Sequence, residues 1–454
     1  ADAEDAALLG EAEPPASDPT LAVWSDPRPV FSMNGYFRVR GNLWDHFSLG
    51  RTREPSDPFG SEQPFSQFVP VDAGAIPTGG CASPYDRGSP QACSSNSDQT
   101  RFADMRLRLQ PTISVSDDIR IHMMFDAFDN MVLGSTPEVK TVGTDGQISG
   151  RAPGADVDSL TRSLNPPQID RNTVSDALIV RRAWAEVSNR AIGQLRFGRM
   201  GHQWGLGMLW NSGEGIDDDF TTEIDRVQAI AKVAGMFLGA SWDFPSKGFI
   251  LDAPGDVQGI PFDGTAKDDA RQWSFLFARR MEPLEQARRL RSGKWVVNGG
   301  AYFIYRKQFL SSATAPLVVS SAQDFESYLL QRDAQVFMPD GWFQALWKDL
   351  RLEVEFAGIF GQIQNISPGE FPPTAEGTKF KLRQWGFAFE GEYRTLGKKL
   401  GVVLKGGAAS GDPDVVGLSQ YENLATQPVG KKTLSNFSFH PDYRIDLILW
   451  RNIL

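Results

Sequence analysis

From Phe31 onward the chain alternates with a period of two. Phe31, Met33, Gly35, Phe37, Val39, Gly41 and Leu43 fall on one face, and Ser32, Asn34, Tyr36, Arg38, Arg40 and Asn42 fall on the other. Successive strand side chains point to opposite faces, so this spacing predicts a strand with one apolar and one charged side. A soluble sandwich strand rarely holds the pattern for so long, whereas a strand between lipid and water must. The pattern recurs. Ala103, Met105, Leu107, Leu109 and Ile113 oppose Asp104, Arg106, Arg108, Gln110 and Thr112, and Ile119, Ile121, Met123, Phe125 and Ala127 oppose Arg120, His122, Met124, Asp126 and Phe128. Pro111 runs against this reading, because it removes a ladder donor inside its strand. Farther on, Ala183, Ala185 and Val187 alternate with Arg182, Trp184 and Glu186. Leu352, Val354, Phe356 and Phe360 oppose Arg351, Glu353 and Glu355, while Trp385, Phe387, Phe389 and Tyr393 oppose Gln384, Glu390, Glu392 and Arg394.

The connections between these segments alternate in length. Ser116-Asp117-Asp118 and the stretches near 189–193, 233–236, 348–350 and 395–399 are short. Those near 48–100, 134–173, 204–222, 245–268, 309–333, 364–378 and 411–437 are long and rich in Gly, Pro, Ser and Asp. Short turns on one side and long loops on the other predict an all-β, antiparallel, up-and-down transmembrane β-barrel. About fourteen strands are expected, the last carrying Tyr443, Ile445, Leu447 and Leu449 opposite Arg444, Asp446 and Ile448. The segment 282–294, EPLEQARRLRSGK, has helical composition and predicts a small helix on the short-turn side. The closing residues Arg451-Asn452-Ile453-Leu454 lack the terminal aromatic of such barrels, so sixteen or eighteen strands are expected if the natural chain continues.

Composition sharpens this picture. The chain has 454 residues, 44 Gly, 30 Phe and 12 Trp against 2 Cys and 4 His, with mean hydropathy −0.31. No run approaches the roughly 18 apolar residues of a membrane helix, which leaves strands as the membrane-crossing element. The net charge of −10 argues against a nucleic-acid partner. The opening ADAEDAALLGEAEPPASDPT has no initiating Met, and reads as a mature exported chain whose signal has been removed. Residues 1–27 are expected to be a disordered acidic segment, and 28–454 the barrel. Cys81 and Cys93 lie in a polar loop without metal partners, which favours a disulfide in an oxidising compartment.

Three groups of residues carry candidate chemistry. On the polar faces, Arg38, Arg40, Arg106, Arg108, Arg120, Arg182, Arg196, Arg226, Arg306, Arg351 and Arg444 form a ladder suited to anionic groups. Interior acids, including Glu353, Glu355, Glu390 and Glu392, are the competing partners for that ladder. The stretch Arg196–Arg226, RFGRMGHQWGLGMLWNSGEGIDDDFTTEIDR, leaves a strand, passes through glycines, tryptophans and acids, and re-enters a strand. There Trp204, Leu206 and Trp210 are candidates to anchor an inward-folded constriction loop. Glu214, Asp217, Asp218 and Asp219 are candidates to face solvent or arginines, and Asp217 and Asp219 are a minor candidate for Ca²⁺, although the EF-hand order is missing. Catalytic motifs are missing as well. GxSxG, HExxH and Cys/His zinc spacing do not occur, and the reading is non-enzymatic, with no cofactor.

Taken together, GRMGHQWGLGMLWNSGEGIDDDF with Asp225-Arg226, FSMNGYFRVRGNL, GGAYFIYRKQ (299–308), RDAQVFMPDGWF (332–343) and FHPDYRIDLILW (439–450) resemble an uncharacterised family of large bacterial outer-membrane barrels. More distantly, the chain is similar to alginate-export and carbohydrate-selective porins. The resemblance spans about 30–450 and implies an outer-membrane location; members run on past the FHPDYR strand. The expected function is passive diffusion of polar or anionic small solutes, with saccharides or uronates the class the resemblance suggests. The alternative is a plugged barrel acting as a surface receptor or as the anchor of an envelope assembly. Expected partners are outer-membrane lipid, the solutes themselves, and an envelope protein or further copies of the chain.

Overall fold

The structure, a computed structural model, describes residues 30–45, 99–133, 141–142, 148–149, 178–189, 192–248, 250–251, 262–263, 265–312, 329–364, 379–395, 397, 399–411 and 433–445. Residues 1–27, Cys81 and Cys93 lie outside them, as do most of the loops expected at 48–100 and 134–173.

Among the described residues, fourteen strands form one sheet. The first four are β1 (Phe31–Asp45), β2 (Gln99–Ser114), β3 (Ile119–Val132) and β4 (Leu178–Asn189). Then come β5 (Gly193–Gly201), β6 (Glu223–Val233), β7 (Met236–Ser246), β8 (Ala270–Arg279) and β9 (Val296–Ser312). The series continues with β10 (Leu329–Trp347), β11 (Leu350–Gln364), β12 (Lys379–Thr395) and β13 (Leu400–Ala409). These thirteen follow one another in sequence order, each beside its predecessor. A two-residue strand, β14 (Thr433–Leu434), pairs in parallel with β12.

The residues gather into two compact units. One contains Val30, Ile113–Ile121 and Arg182–Tyr443, hence β5 to β14; the other contains Phe31–Thr112, His122–Arg181 and the residues from Arg444. In the first unit the burial pattern is inverted relative to a water-soluble protein. Arg226, Gln228, Asp243, Gln272 and Ser274 are buried, while Trp242, Phe275, Phe277, Phe303, Phe343 and Phe356 are exposed. In the second unit Arg106 is 0% exposed and Phe37 62%. An apolar face of this extent is unstable in water but is what hydrocarbon requires, because the ladder satisfies the backbone and lipid covers the side chains. The architecture is that of an antiparallel, up-and-down transmembrane β-barrel.

Local sequence explains the short connections. Ala234 and Gly235 both take positive φ, 51° and 80°, the combination a two-residue hairpin needs to match strand twist. The helix α1 (Pro283–Arg291) occupies the 282–294 segment, with Pro in its first turn and Ser292 N–H closing on Arg288 O at 3.1 Å. Pro111 does lie within β2.

The strand expected from Tyr443 is not formed at Tyr443, Arg444 and Ile445, the part of it that lies among the described residues. Residues 441–445 are irregular, Tyr443 is buried, and residues from 446 on lie outside the described ones. Pro441 supplies no ladder N–H, and the Asp442 carboxylate is engaged by another segment.

Candidate functional site: a loop docked on the polar face

In the first unit the chain leaves β5 at Gly201, crosses the polar face and returns at β6. His202 N–H donates to Thr222 O at 2.8 Å, closing the neck of this loop, and Thr222 N–H donates to Asn211 O at 2.8 Å. Inside it, Trp204 N–H reaches Trp210 O at 3.1 Å, and Gly207 N–H reaches Trp204 O at 2.9 Å. Gly205 has φ 56°, and a Cβ there would run into the Glu355 carboxylate, so only glycine lets the backbone approach this closely.

The loop is bound to the strands through three kinds of contact. Trp204 packs with Leu276, Tyr302, Ile304, Met338 and Trp342, with Leu206 and Trp210 against the same cluster. Trp204 Nε1–H donates to Asp340 Oδ1 at 3.0 Å, and Leu206 N–H donates to Glu355 Oε2. His202 stacks on Trp210 with ring centroids 4.6 Å apart, and shares a 2.9 Å hydrogen bond with the Tyr302 hydroxyl. Beneath lies a charged network: Arg226 binds both oxygens of Asp243 at 2.9 and 2.8 Å, Gln272 donates to Asp243 at 2.7 Å, and Arg306 donates to Gln272 at 2.8 Å. His202 belongs to the loop, outside the strands. Burial, reinforced by the like charge of Arg226 and Arg306, holds its imidazole well below the usual 6.5, so the ring is neutral.

A second segment locks the loop from the other side. Asp442 accepts hydrogen bonds from Asp219 N–H, at 2.9 Å, and from Phe220 N–H. His440 N–H donates to Met208 O at 2.8 Å, and Phe437 N–H donates to Ser410 O at 2.8 Å. Met208, Phe437 and Tyr443 are all buried.

The remaining expected site residues fall as follows. Arg182 donates to Glu214 and to Ser212 O, and so binds the loop from β4. Arg120 pairs with Glu186 at 2.6 Å, and Arg196 donates to Gln194 at 2.9 Å. Arg351 pairs with Glu353 and lies 3.9 Å from both Glu390 and Glu392. Asp217 is exposed, and Asp218 accepts Gly215 N–H at 2.8 Å. Among the described residues, Asp263, Asp268 and Asp269 form a group of three carboxylates spaced to share a cation. There Lys247 Nζ, 3.1 Å from Asp269 and 3.6 Å from Asp263, already supplies positive charge.

In the second unit the ladder carries its own acids. Arg38 and Arg40 meet Asp104 at 3.4 and 3.1 Å, Arg106 meets Asp129 at 2.5 Å, and Arg108 binds both oxygens of Asp126 at 2.7 and 2.8 Å. Arg181 joins Asp126 and Asp129. Arg444 is half-buried.

Tyr302, Asp243, Gln272, Asp340 and Asp442, which the sequence did not single out, complete the site together with His202 and His440, which fall in no catalytic motif. A signal for two of them was present. Asp340 and Asp442 each follow a proline, in FMPDGW and FHPDYR, and both engage the loop. Four of the five stretches that carry the family resemblance therefore meet at this site.

No protein-family profile matches the chain, and no curated protein matches it. Solved structures with a similar course are outer-membrane proteins. A loop L8 deletion mutant of OmpT from Vibrio cholerae is 9% identical over 69% of this chain and 76% of that chain, with TM-score 0.33. The in-vitro folded trimer form of OmpT from the same organism is 11% identical over 70% and 75%, with TM-score 0.30. OccK8 (OprE) from Pseudomonas aeruginosa is 11% identical over 68% and 89%, with TM-score 0.25. Such overlaps do not bear on function, and the barrel assignment rests on the inverted burial of the sheet itself.

Proposed function

We propose that the chain is an outer-membrane, porin-like channel for passive diffusion of small polar or anionic solutes, narrowed by the docked loop 202–222 together with segment 435–443. The observation that carries this reading is the anchoring of that loop to the polar face through Trp204–Asp340, Leu206–Glu355 and Asp442. A loop held by buried hydrogen bonds at both ends keeps a fixed cross-section, which a size-selective passage needs. Arginine and acid rows replace part of a solute's hydration. Because Arg226 with Asp243 and Arg351 with Glu353 are matched pairs, the wall offers alternating donors and acceptors more than net positive charge. That favours polyhydroxy solutes such as saccharides, with uronates as their anionic members. His202 serves packing, since its ring is sequestered against Trp210 and Tyr302, and the reading stays non-enzymatic.

The second reading, a plugged barrel acting as receptor or anchor, is favoured by the dryness of the dock: Met208 is 0% and His202 2% exposed. Swelling of proteoliposomes in saccharides of graded size separates the two. Uptake with a sharp size limit supports the channel. Absence of uptake by folded protein supports the plug.

A further inference from the structure

The apolar face of the first unit carries an ordered pattern near the end with the long loops. In hydrogen-bond register, Trp273, Tyr305, Phe337 and Phe360 are successive neighbours across β8 to β11, followed by Arg383 on β12. Trp273 and Tyr305 stack with centroids 5.9 Å apart, and Tyr305 and Phe337 with centroids 4.9 Å apart. Two residues nearer the loops, the next row reads Arg271, Lys307, Gln335, Gln362 and Lys381. An aromatic row marks the boundary between hydrocarbon and headgroups, so the row above it lies at headgroup height.

Arg271 and Lys307 stand directly opposite one another in that second row. Like charges in this position destabilise a strand pair unless something anionic lies between them. Lys307 rests over the Trp273 ring at 5.4 Å, and among the described residues no carboxylate pairs with it. Among the described residues Arg271 reaches one carboxylate, Asp269 at 3.8 Å, which is shared with Lys247 at 3.1 Å, and it donates to Ala266 O at 3.2 Å. A third cation is brought to the same place by the backbone: Leu310 N–H donates to Lys267 O at 3.1 Å, and Gln308 Nε2–H to Asp268 O at 3.1 Å. Lys267, Arg271, Lys307, Gln308, Phe309 and Gln335 line a cleft of about 400 Å³, with the carboxylates of Asp269 and Asp333 also on its wall.

We propose that this cleft binds the phosphate of an anionic lipid headgroup in the outer leaflet, with Arg271 and Lys307 as the direct ligands and Lys267 closing the site. Arg271 offers a planar fork and Lys307 a point charge, a combination suited to a phosphate monoester at a lipid surface. The acyl chains then lie along Trp273, Tyr305 and Phe337. The proposal rests on the membrane-spanning reading of the sheet and not on conductance, so a plugged barrel binds the same lipid.

The test uses the full chain folded in neutral detergent. It is titrated with a diphosphorylated diglucosamine lipid (lipid A), with phosphatidylcholine, and with inorganic phosphate, reading bound lipid by native mass spectrometry and the midpoint of heat unfolding. Lipid A is expected to bind and raise the midpoint, and the other two are not. R271Q/K307Q is expected to weaken lipid A binding by roughly tenfold or more, while K232Q, at the short-turn end, leaves it unchanged. Equal binding by R271Q/K307Q and the parent, or an equal effect of phosphatidylcholine, overturns the proposal. An equal effect of inorganic phosphate alone assigns the cleft to free phosphate and overturns the lipid.

Discussion

The indole N–H of Trp204 reaches the carboxylate of Asp340 across 136 positions of sequence, at 3.0 Å, in a buried setting. This contact fixes where the loop lies on the polar face, because the same ring also stacks on Tyr302 with centroids 5.3 Å apart. W204F keeps an aromatic ring but leaves Asp340 without this donor. The expected cost is about 1–3 kcal/mol, read as a lower midpoint in the heat-induced mobility shift of the folded barrel. An unchanged midpoint shows that the hydrogen bond does not hold the loop.

Asp442 offers a sharper probe, since its carboxylate accepts two backbone N–H groups and touches no strand through them. D442A leaves both donors unpaired, so faster hydrogen exchange is expected at Asp219 and Phe220 while β6 stays protected. D442N keeps one acceptor oxygen and is expected to restore most of the protection. Equal exchange in all three proteins removes the lock.

Acidification acts through His202. Its buried ring is neutral in the folded protein, whereas the unfolded chain takes up a proton below 6.5. The unfolded state therefore binds more protons, and the His202 contribution, complete above 6.5, is lost as pH falls. Between about pH 7.5 and about pH 5 the heat-unfolding midpoint of the parent is expected to fall more than that of H202Q. Parallel curves contradict a docked neutral histidine.

The alternation of Phe31–Leu43 and of Leu352–Phe360 against charged neighbours made the sheet legible, since side-chain parity depends only on local spacing. The segment at 282–294 was legible from its helical composition, and α1 occupies it. Tyr443 to Leu449 had equally good parity, yet at Tyr443 no strand forms, because Asp442 binds a loop 222 residues away and Pro441 withholds a ladder N–H. In the site, the loop and its arginines were visible as composition. Their partners Asp243 and Tyr302 were not, because register across β6 to β9 brings them together and no local pattern encodes it.

The acids that face the ladder give it a testable sign. Replacing Arg38, Arg106 and Arg120 by Gln removes one cation from each of Asp104, Asp129 and Glu186, which keep Arg40, Arg181 and Arg196 as their remaining cations. In protein verified as folded, the reversal potential in a salt gradient is expected to move toward cations. An unmoved potential removes these arginines from the conducting path.

Single-channel recording in a planar bilayer tests the central claim most directly, comparing the parent with W204F/D442A. The expected result is stable ohmic steps in both, with larger steps when the loop is released. Folded protein that gives no steps in either form, or identical steps in both, contradicts a passage narrowed by the docked loop.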